Sequence, residues 1–165
     1  MRVKAGLQGE PRMQAMNAYP NVLVAVDGSE PSQRGLDEAI RLVKTHGGKL
    51  KIVHIVDELP AVASSGYYAE PVVESMQAKG RQILEAAAAA ARAAGVDAEV
   101  ELVQCVGGRT SSFIVDAAKE ESASLIVLGT HGRRGLRRLA MGSDAEEVVR
   151  SSSVPVLLVR GGEAI

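Results

Sequence analysis

Leu125-Ile126-Val127-Leu128-Gly129-Thr130-His131-Gly132 is the stretch that decides the fold. Four apolar residues follow one another and stop at a glycine, as in a short strand buried on both faces. A loop carrying Arg133, Arg134, Arg137 and Arg138 then leads to Gly142-Ser143, and Val148 and Val149 place a helix behind that pair. Glycine at a strand exit lets backbone N–H groups come close to a ligand. A helix start adds unpaired N–H donors and partial positive charge. Strand, glycine loop and helix start together make a place for phosphate.

Outward from that stretch the same alternation recurs. Val22-Leu23-Val24-Ala25-Val26 is another unbroken apolar run, ending at Asp27-Gly28-Ser29-Glu30-Pro31, where Ser29 or Glu30 starts a helix and Pro31 is tolerated in its first turn. Leu36, Ala39, Ile40 and Val43 recur at helical spacing, and Gly47-Gly48 closes that helix. Leu50 to Val56 reads as a strand, and Asp57 to Ala69 as a loop carrying Pro60, Ser64, Ser65 and Gly66. A long helix follows with Val72, Val73, Met76, Ile83 and Leu84 on one side; alanines at 86–91 add propensity and Gly95 ends it. Val96, Ala98, Val100 and Leu102 alternate with Asp97, Glu99 and Glu101, which predicts a half-exposed strand at a sheet edge. Gly107-Gly108 turns into a helix bearing Phe113, Ile114, Ala117 and Ala118. Val154-Pro155-Val156-Leu157-Leu158-Val159 is the last strand, its proline suiting another edge. The alternation predicts a single-domain, open, five-stranded parallel α/β sheet with helices on both faces, over residues 19–162 behind a flexible arm of residues 1–18.

Composition narrows the function. Of 165 residues, 46% are hydrophobic and 24% charged, and the net charge is −1, so nothing draws the whole chain to nucleic acid or an anionic membrane. Aromatics at 2%, with no Trp, argue against platforms for stacked bases. The single Cys105 excludes an internal disulfide framework and fits a reducing compartment. No apolar stretch is long enough to span a bilayer, and Met1 to Ala18 lacks a signal-peptide core. Cytoplasm is the expected location.

Ligands of open α/β sheets bind beyond the carboxyl ends of the strands, where strand order reverses. Two loops suit that crevice: Asp27-Gly28-Ser29, and Gly129 to Gly142. Each candidate also has a purely structural use. Ser143-Asp144-Ala145-Glu146 fits a capping box. Asp27 suits an Asx turn or helix cap, the arginines a solvated loop face, and the glycines ordinary turns. His54, inside an apolar strand, suits a hydrogen-bonded core histidine, and His46 the end of a helix, where a cation favours the dipole. His131 lies in the glycine loop without a nameable catalytic partner. The three histidines lack metal-ligand spacing. There is no G-x4-G-K-[ST], no G-x-G-x-x-G after the first strand and no G-x-S-x-G elbow.

The spacing G-x2-G-x9-G-S, at Gly129, Gly132, Gly142 and Ser143, resembles the nucleotide-binding pattern of the universal stress protein family, in its ATP-binding branch. Val24 to Ser29 is similar to that family's first strand and loop, and Leu125 to Gly132 and Val154 to Val159 resemble its fourth and fifth strands. The likeness runs from about Asn21 to Arg160. It implies a Rossmann-like sheet of order 3-2-1-4-5, of the adenine nucleotide α-hydrolase-like kind, and a homodimer through the fifth strand, Val154 to Val159. It implies ATP, AMP or another adenine nucleotide, held with Mg2+ or Mn2+. It puts Asp27, with Ala25 beside it, at the ribose and adenine end, and the Ile55 backbone at the adenine edge. Gly129 to Gly132 would approach ribose and α-phosphate, and Gly142 and Ser143 would hold the β- and γ-phosphates. Apart from the resemblance, the local charge of Arg133, with Arg134, Arg137 and Arg138, gives these arginines a phosphate-steering role as the alternative to a solvated face. Relatives often place a small or apolar residue after the Gly-Ser pair. Here it is Asp144, a carboxylate that favours the helix dipole yet repels a phosphate or helps hold a metal ion.

The expected function is that of a nucleotide-dependent sensor or regulator in stress response, without efficient catalysis. Binding would order the loop Arg133 to Met141, and a partner protein or the dimer would read that order. A slow ATPase and a nucleotide-free dimeric interaction protein are the alternatives.

Overall fold

Val22, Leu23 and Val24 are each at most 2% exposed, so β1 (Asn21–Ala25) is buried on both faces and sits inside a sheet rather than at its rim. The computed structural model describes residues 18–65, 69–130 and 141–161. After β1 come α1 (Glu30–His46), β2 (Lys49–Asp57), α2 (Leu59–Ser65) and α3 (Ala69–Ala93). They are followed by β3 (Ala98–Cys105), α4 (Thr110–Glu120), β4 (Leu125–Gly129), α5 (Ser143–Ser151) and β5 (Val156–Val159). The five strands form one sheet of order β3-β2-β1-β4-β5, parallel throughout. The order reverses between β1 and β4, as expected.

Strand alternation sorts the core into two layers. Val22, Val24, Leu50, Ile52, Leu125 and Val127 face Leu36, Ile40 and Val43 of α1 and Leu84, Ala87 and Ala91 of α3. Leu23, Val53, Ile126 and Leu128 face Ile114, Val115 and Ala118 of α4 and Val148 of α5. Each large aliphatic side chain so buried contributes roughly 1.5–3 kcal/mol. Helix α1 starts where Ser29 caps it and stops at Gly47, whose φ of 78° a side chain disfavours.

Four local expectations shift. Helix α2 occupies part of the segment expected as loop, with Pro60 in its first turn, where proline costs no hydrogen bond. Val72, placed with the buried side of the long helix, is 44% exposed. Strand β3 begins at Ala98 rather than Val96, and Val100 is 45% exposed because an edge strand is only partly roofed. Strand β5 begins after Pro155, which lacks an N–H for the ladder but accepts the Ile126 N–H on its carbonyl at 3.0 Å. The expected arm falls almost wholly on residues 1–17, outside the described ones.

At the amino-terminal rim of the sheet, Lys51 Nζ reaches Glu121 at 2.6 Å, Glu101 at 3.1 Å and Glu99 at 3.8 Å, tying β2 to β3 and to the end of α4. Burial pulls this ammonium down, but the hydrogen bonds to Glu121 and Glu101 outweigh it and hold Lys51 above the usual lysine range.

Candidate functional site

The opposite, carboxyl rim is built around the exit of β1. Val26 N–H donates to the Val53 carbonyl at 2.9 Å, and the Asp27 N–H turns away to Ser32 Oγ at 2.9 Å. Asp27 Oδ1 accepts the Ser29 N–H at 2.9 Å and the Ser29 hydroxyl at 2.6 Å. Gly28, at φ 81°, closes this Asx turn. The side chain of Ser29 then caps α1 by accepting the Ser32 N–H at 3.4 Å.

Beside it, β2 runs on past the end of β1. Peptide edges along a strand repeat every second residue. The Val53 carbonyl faces β1, so the Ile55 edge faces the same side at a level where β1 has already ended. His54, 4% exposed, lies between them with Nδ1 2.6 Å from the Val26 carbonyl oxygen. Only a protonated Nδ1 can serve a carbonyl, so Nδ1–H is the donor. The expectation of a hydrogen-bonded core histidine holds.

At the exit of β4, Gly129 is demanded by packing. A Cβ there would stand 2.7 Å from the Pro31 carbonyl carbon and 2.8 Å from the Ser32 nitrogen. The first turn of α1 therefore rests on a bare Cα. Thr130 N–H bonds the Val159 carbonyl at 2.9 Å, and after the loop Gly142 N–H returns to the Thr130 carbonyl at 2.9 Å. Gly142, not Ser143, is the N-cap of α5, and among the described residues no side chain caps that end. The capping box expected at Ser143 is thus out of frame by one residue. Ser143 is the first helical residue, and among the described residues no side chain accepts from the leading N–H groups of α5.

These ends surround a crevice of about 650 Å³, within the range of small-molecule sites. Ala25, Asp27, Ile55, Gly129, Gly142, Ser143 and Asp144 all line it. Segments far apart in the chain therefore open onto one cleft. Gly132 and Arg133 lie outside the described residues, as do His131, Arg134, Arg137 and Arg138. Among the described residues no group of three or more His, Cys, Asp or Glu is placed to hold a metal ion.

Some lining residues were not foreseen. Met76 and Lys79 of α3 form part of one wall, Thr110 and Ile114 of α4 part of another. Topology carried the signal for Thr110: α4 follows β3, so its first residue must sit at the carboxyl rim. Gly80 carried the signal for α3. Its missing side chain lets the helix lie flush, since a Cβ would be 2.6 Å from Leu102 Cδ1 and 2.8 Å from His54 Cδ2.

An open, doubly wound α/β domain with its cleft at the switch point of strand order is the class that this geometry defines. Residues 18–160 match the sequence profile of the Universal stress protein family, and the chain belongs to that family. It is 33% identical over 150 residues to universal stress protein YxiE of Bacillus subtilis, covering 86% of this chain and 99% of that protein. Its fold is similar to that of a universal stress protein solved in complex with cAMP, at 30% identity and TM-score 0.63 over 87% of this chain and 98% of that one. It is also similar to the Archaeoglobus fulgidus universal stress protein in complex with dAMP, at 27% identity and TM-score 0.60 over 85% and 96% of the respective chains.

Proposed function

We propose that this chain binds an adenine nucleotide, ATP or AMP among them, in the crevice between β1 and β4, and acts as a nucleotide-dependent regulator rather than an efficient catalyst. The observation that carries the reading is the convergence of Asp27, Ile55, Gly129 and Ser143 on one cleft. The residues present fit such a ligand. The Ile55 peptide edge matches the donor and acceptor edge of adenine, and the Asp27 carboxylate suits ribose hydroxyls. The uncapped start of α5, Gly142 to Asp144, suits phosphate. The cAMP and dAMP complexes of similar proteins support the base and sugar.

A magnesium or manganese ion enters this reading as the nucleotide's companion, held mainly by phosphate oxygens with Asp144 as the nearby carboxylate. Such an ion would neutralise phosphate charge. Binding rather than turnover is favoured because phosphoryl transfer needs a positioned nucleophile and a metal clamp, and the sequence has no P-loop.

Pairing with a second copy through β5 belongs to the same proposal. Val156, Leu157, Leu158 and Val159 are half-buried on an edge strand, and a partner strand would finish their burial. Cytoplasmic residence is part of it too; no described helix is long and apolar enough to cross a membrane.

Calorimetric titration of the folded protein with ATP and with AMP, each with magnesium, tests the reading. Saturable heat with either nucleotide is expected. No heat at millimolar nucleotide overturns it. Native mass spectrometry of the same sample reads the dimer and any co-purified nucleotide.

A further inference from the structure

Strand β1 pairs with β2 as far as Ala25 opposite Val53. The Val26 N–H closes that ladder on the Val53 carbonyl, and at Asp27 the chain turns toward α1. A base paired with the Ile55 peptide edge would take the place of the next β1 residue. Hydrogen bonds to a strand edge lie near the plane of the sheet, so the base would lie near that plane too. Its two flat faces would then look toward the two helix layers.

Helix α3 belongs to one layer and α4 to the other. Each joins two parallel strands, so each starts at the carboxyl rim. On α3, Gly80 lies against His54 and Val56 of β2, and Met76 sits one turn nearer the rim. On α4, Ile114 packs in the layer that holds Ile55. Met76 is half-buried, Ile114 is buried, and both line the crevice. Apolar side chains thus stand on opposite sides of the plane a base would occupy.

The edge alone does not separate a purine from a pyrimidine. Adenine presents an amino donor beside a ring-nitrogen acceptor, and cytosine presents the same pair. Discrimination then falls to the groups that touch the faces. A purine carries a second ring between the walls, which a pyrimidine lacks. The polarizable thioether of methionine suits an aromatic face, and a β-branched isoleucine gives a stiff opposing wall.

Resting on the crevice as an adenine-nucleotide site, we infer that Met76 and Ile114 clamp the two faces of the base between α3 and α4 and set a preference for purine over pyrimidine. Both act as specificity-determining residues.

Calorimetric titration of the full chain with AMP and with CMP tests the preference in wild type, Met76→Ala and Met76→Leu, each verified as folded by circular dichroism. Wild type is expected to bind AMP roughly tenfold more tightly than CMP. Met76→Ala is expected to weaken AMP roughly fivefold and CMP by less than about twofold. Met76→Leu restores an apolar wall and should keep the wild-type ratio. A merely structural role would weaken both nucleotides alike. The second readout is magnetic resonance of isotope-labelled methionine and isoleucine methyls. A methyl over the face of an aromatic ring is shielded, and one at its edge is deshielded. AMP should therefore move the Met76 ε-methyl and the Ile114 δ1-methyl upfield; the signals lost in Met76→Leu and Ile114→Val assign them. Saturable AMP binding with either methyl unshifted or moved downfield overturns the clamp while leaving the nucleotide site standing. So does an AMP-to-CMP ratio that is near one in wild type or unchanged in Met76→Ala. No heat with AMP in any of these proteins overturns the site itself, and the clamp with it.

Discussion

His54 Nδ1–H is bonded to the Val26 carbonyl oxygen at 2.6 Å, across a sequence separation of 28 residues. The bond pins the far end of β2 to the residue just before Asp27. Both ends of the pin border the crevice, since Val26, Asp27 and His54 all line it. Together with the Val26 N–H bond to the Val53 carbonyl, this buried hydrogen bond ties the Ile55 edge to the Asp27 turn.

Replacing His54 separates packing from positioning. His54→Leu leaves the buried Val26 carbonyl without a donor and is expected to cost roughly 1–3 kcal/mol, with weaker nucleotide binding. His54→Asn puts an amide N–H about where Nδ1–H stood, so binding is expected to recover even though the smaller side chain packs less well. Urea midpoints and calorimetric affinities are the readouts. Equal affinities for the Leu and Asn variants would mean that the pin does not position the loop.

Two glycines are expected to differ sharply when changed to alanine. At Gly129 the new methyl meets the backbone of Pro31 and Ser32 at 2.7–2.8 Å. Backbone in the first turn of α1 cannot step aside, so the cost is expected at or above the top of the usual 1–3 kcal/mol for overpacking. At Gly80 the atoms met belong to side chains, the tip of Leu102 at 2.6 Å and the pinned ring of His54 at 2.8 Å, with no backbone among them. Leu102 can turn but the His54 ring cannot without straining its bond to Val26, so α3 must shift; alanine regains about 0.5–1 kcal/mol of helix preference, and the net cost is expected to be smaller than at Gly129 but not negligible. A shift of α3 would still move Lys79 and Met76, so Gly80→Ala is expected to lower nucleotide affinity more than stability. Thermal melts and titrations of the two variants check the order.

Much of this was legible in the sequence because parallel strands buried on both faces write themselves as unbroken apolar runs, as Val22 to Val24 and Leu125 to Leu128 do. The sheet order followed from the family resemblance carried by the glycine spacing, and that order brings Asp27 to the described ends of the glycine segment, Gly129 and Gly142. What escaped detection depended on tertiary context. Helix α2 is too short to show a period, and its Pro60 reads as a breaker unless the helix start is already known. The frame of α5 slipped by one residue because Gly142, lacking a side chain, leaves no capping signal. Gly129 was legible as a glycine that matters, but its reason, contact with Pro31 and Ser32, requires the packing of α1. Lys79 and Thr110 carry no motif and reach the crevice only because of where α3 and α4 are docked.

The Lys51 cluster predicts a pH dependence at the alkaline side. A lysine held above its ordinary value contributes stability that is fully present below the unfolded-state pKa, about 10.4, and is lost as pH rises through the higher folded value. Lys51→Met leaves Glu99, Glu101 and Glu121 facing one another and is expected to cost about 1–2 kcal/mol at pH 7, moderated because the glutamates are partly solvated. The gap in urea midpoint between wild type and Lys51→Met should stay constant from pH 7 to about 10 and close only above that. A gap already closing near neutrality would place the stabilisation elsewhere.

Asp27 has two tasks that a pair of substitutions can pull apart. Its Oδ1 organises the turn by accepting from Ser29 N and Oγ, while in the proposed complex its charge faces ribose hydroxyls. Asp27→Asn retains an Oδ1 acceptor, so the Asx turn and the Ser29 cap survive and stability should fall by less than about 1 kcal/mol. Loss of the charge weakens the hydrogen bond to sugar, and affinity should drop roughly fivefold to tenfold. Asp27→Ala removes the acceptor as well, releases Ser29 and should cost about 1–2 kcal/mol of stability in addition to the affinity. Melting curves and calorimetric titrations of both variants give the comparison. Wild-type affinity in Asp27→Asn would leave Asp27 as a turn-forming residue and move recognition of the sugar to the backbone around Gly129.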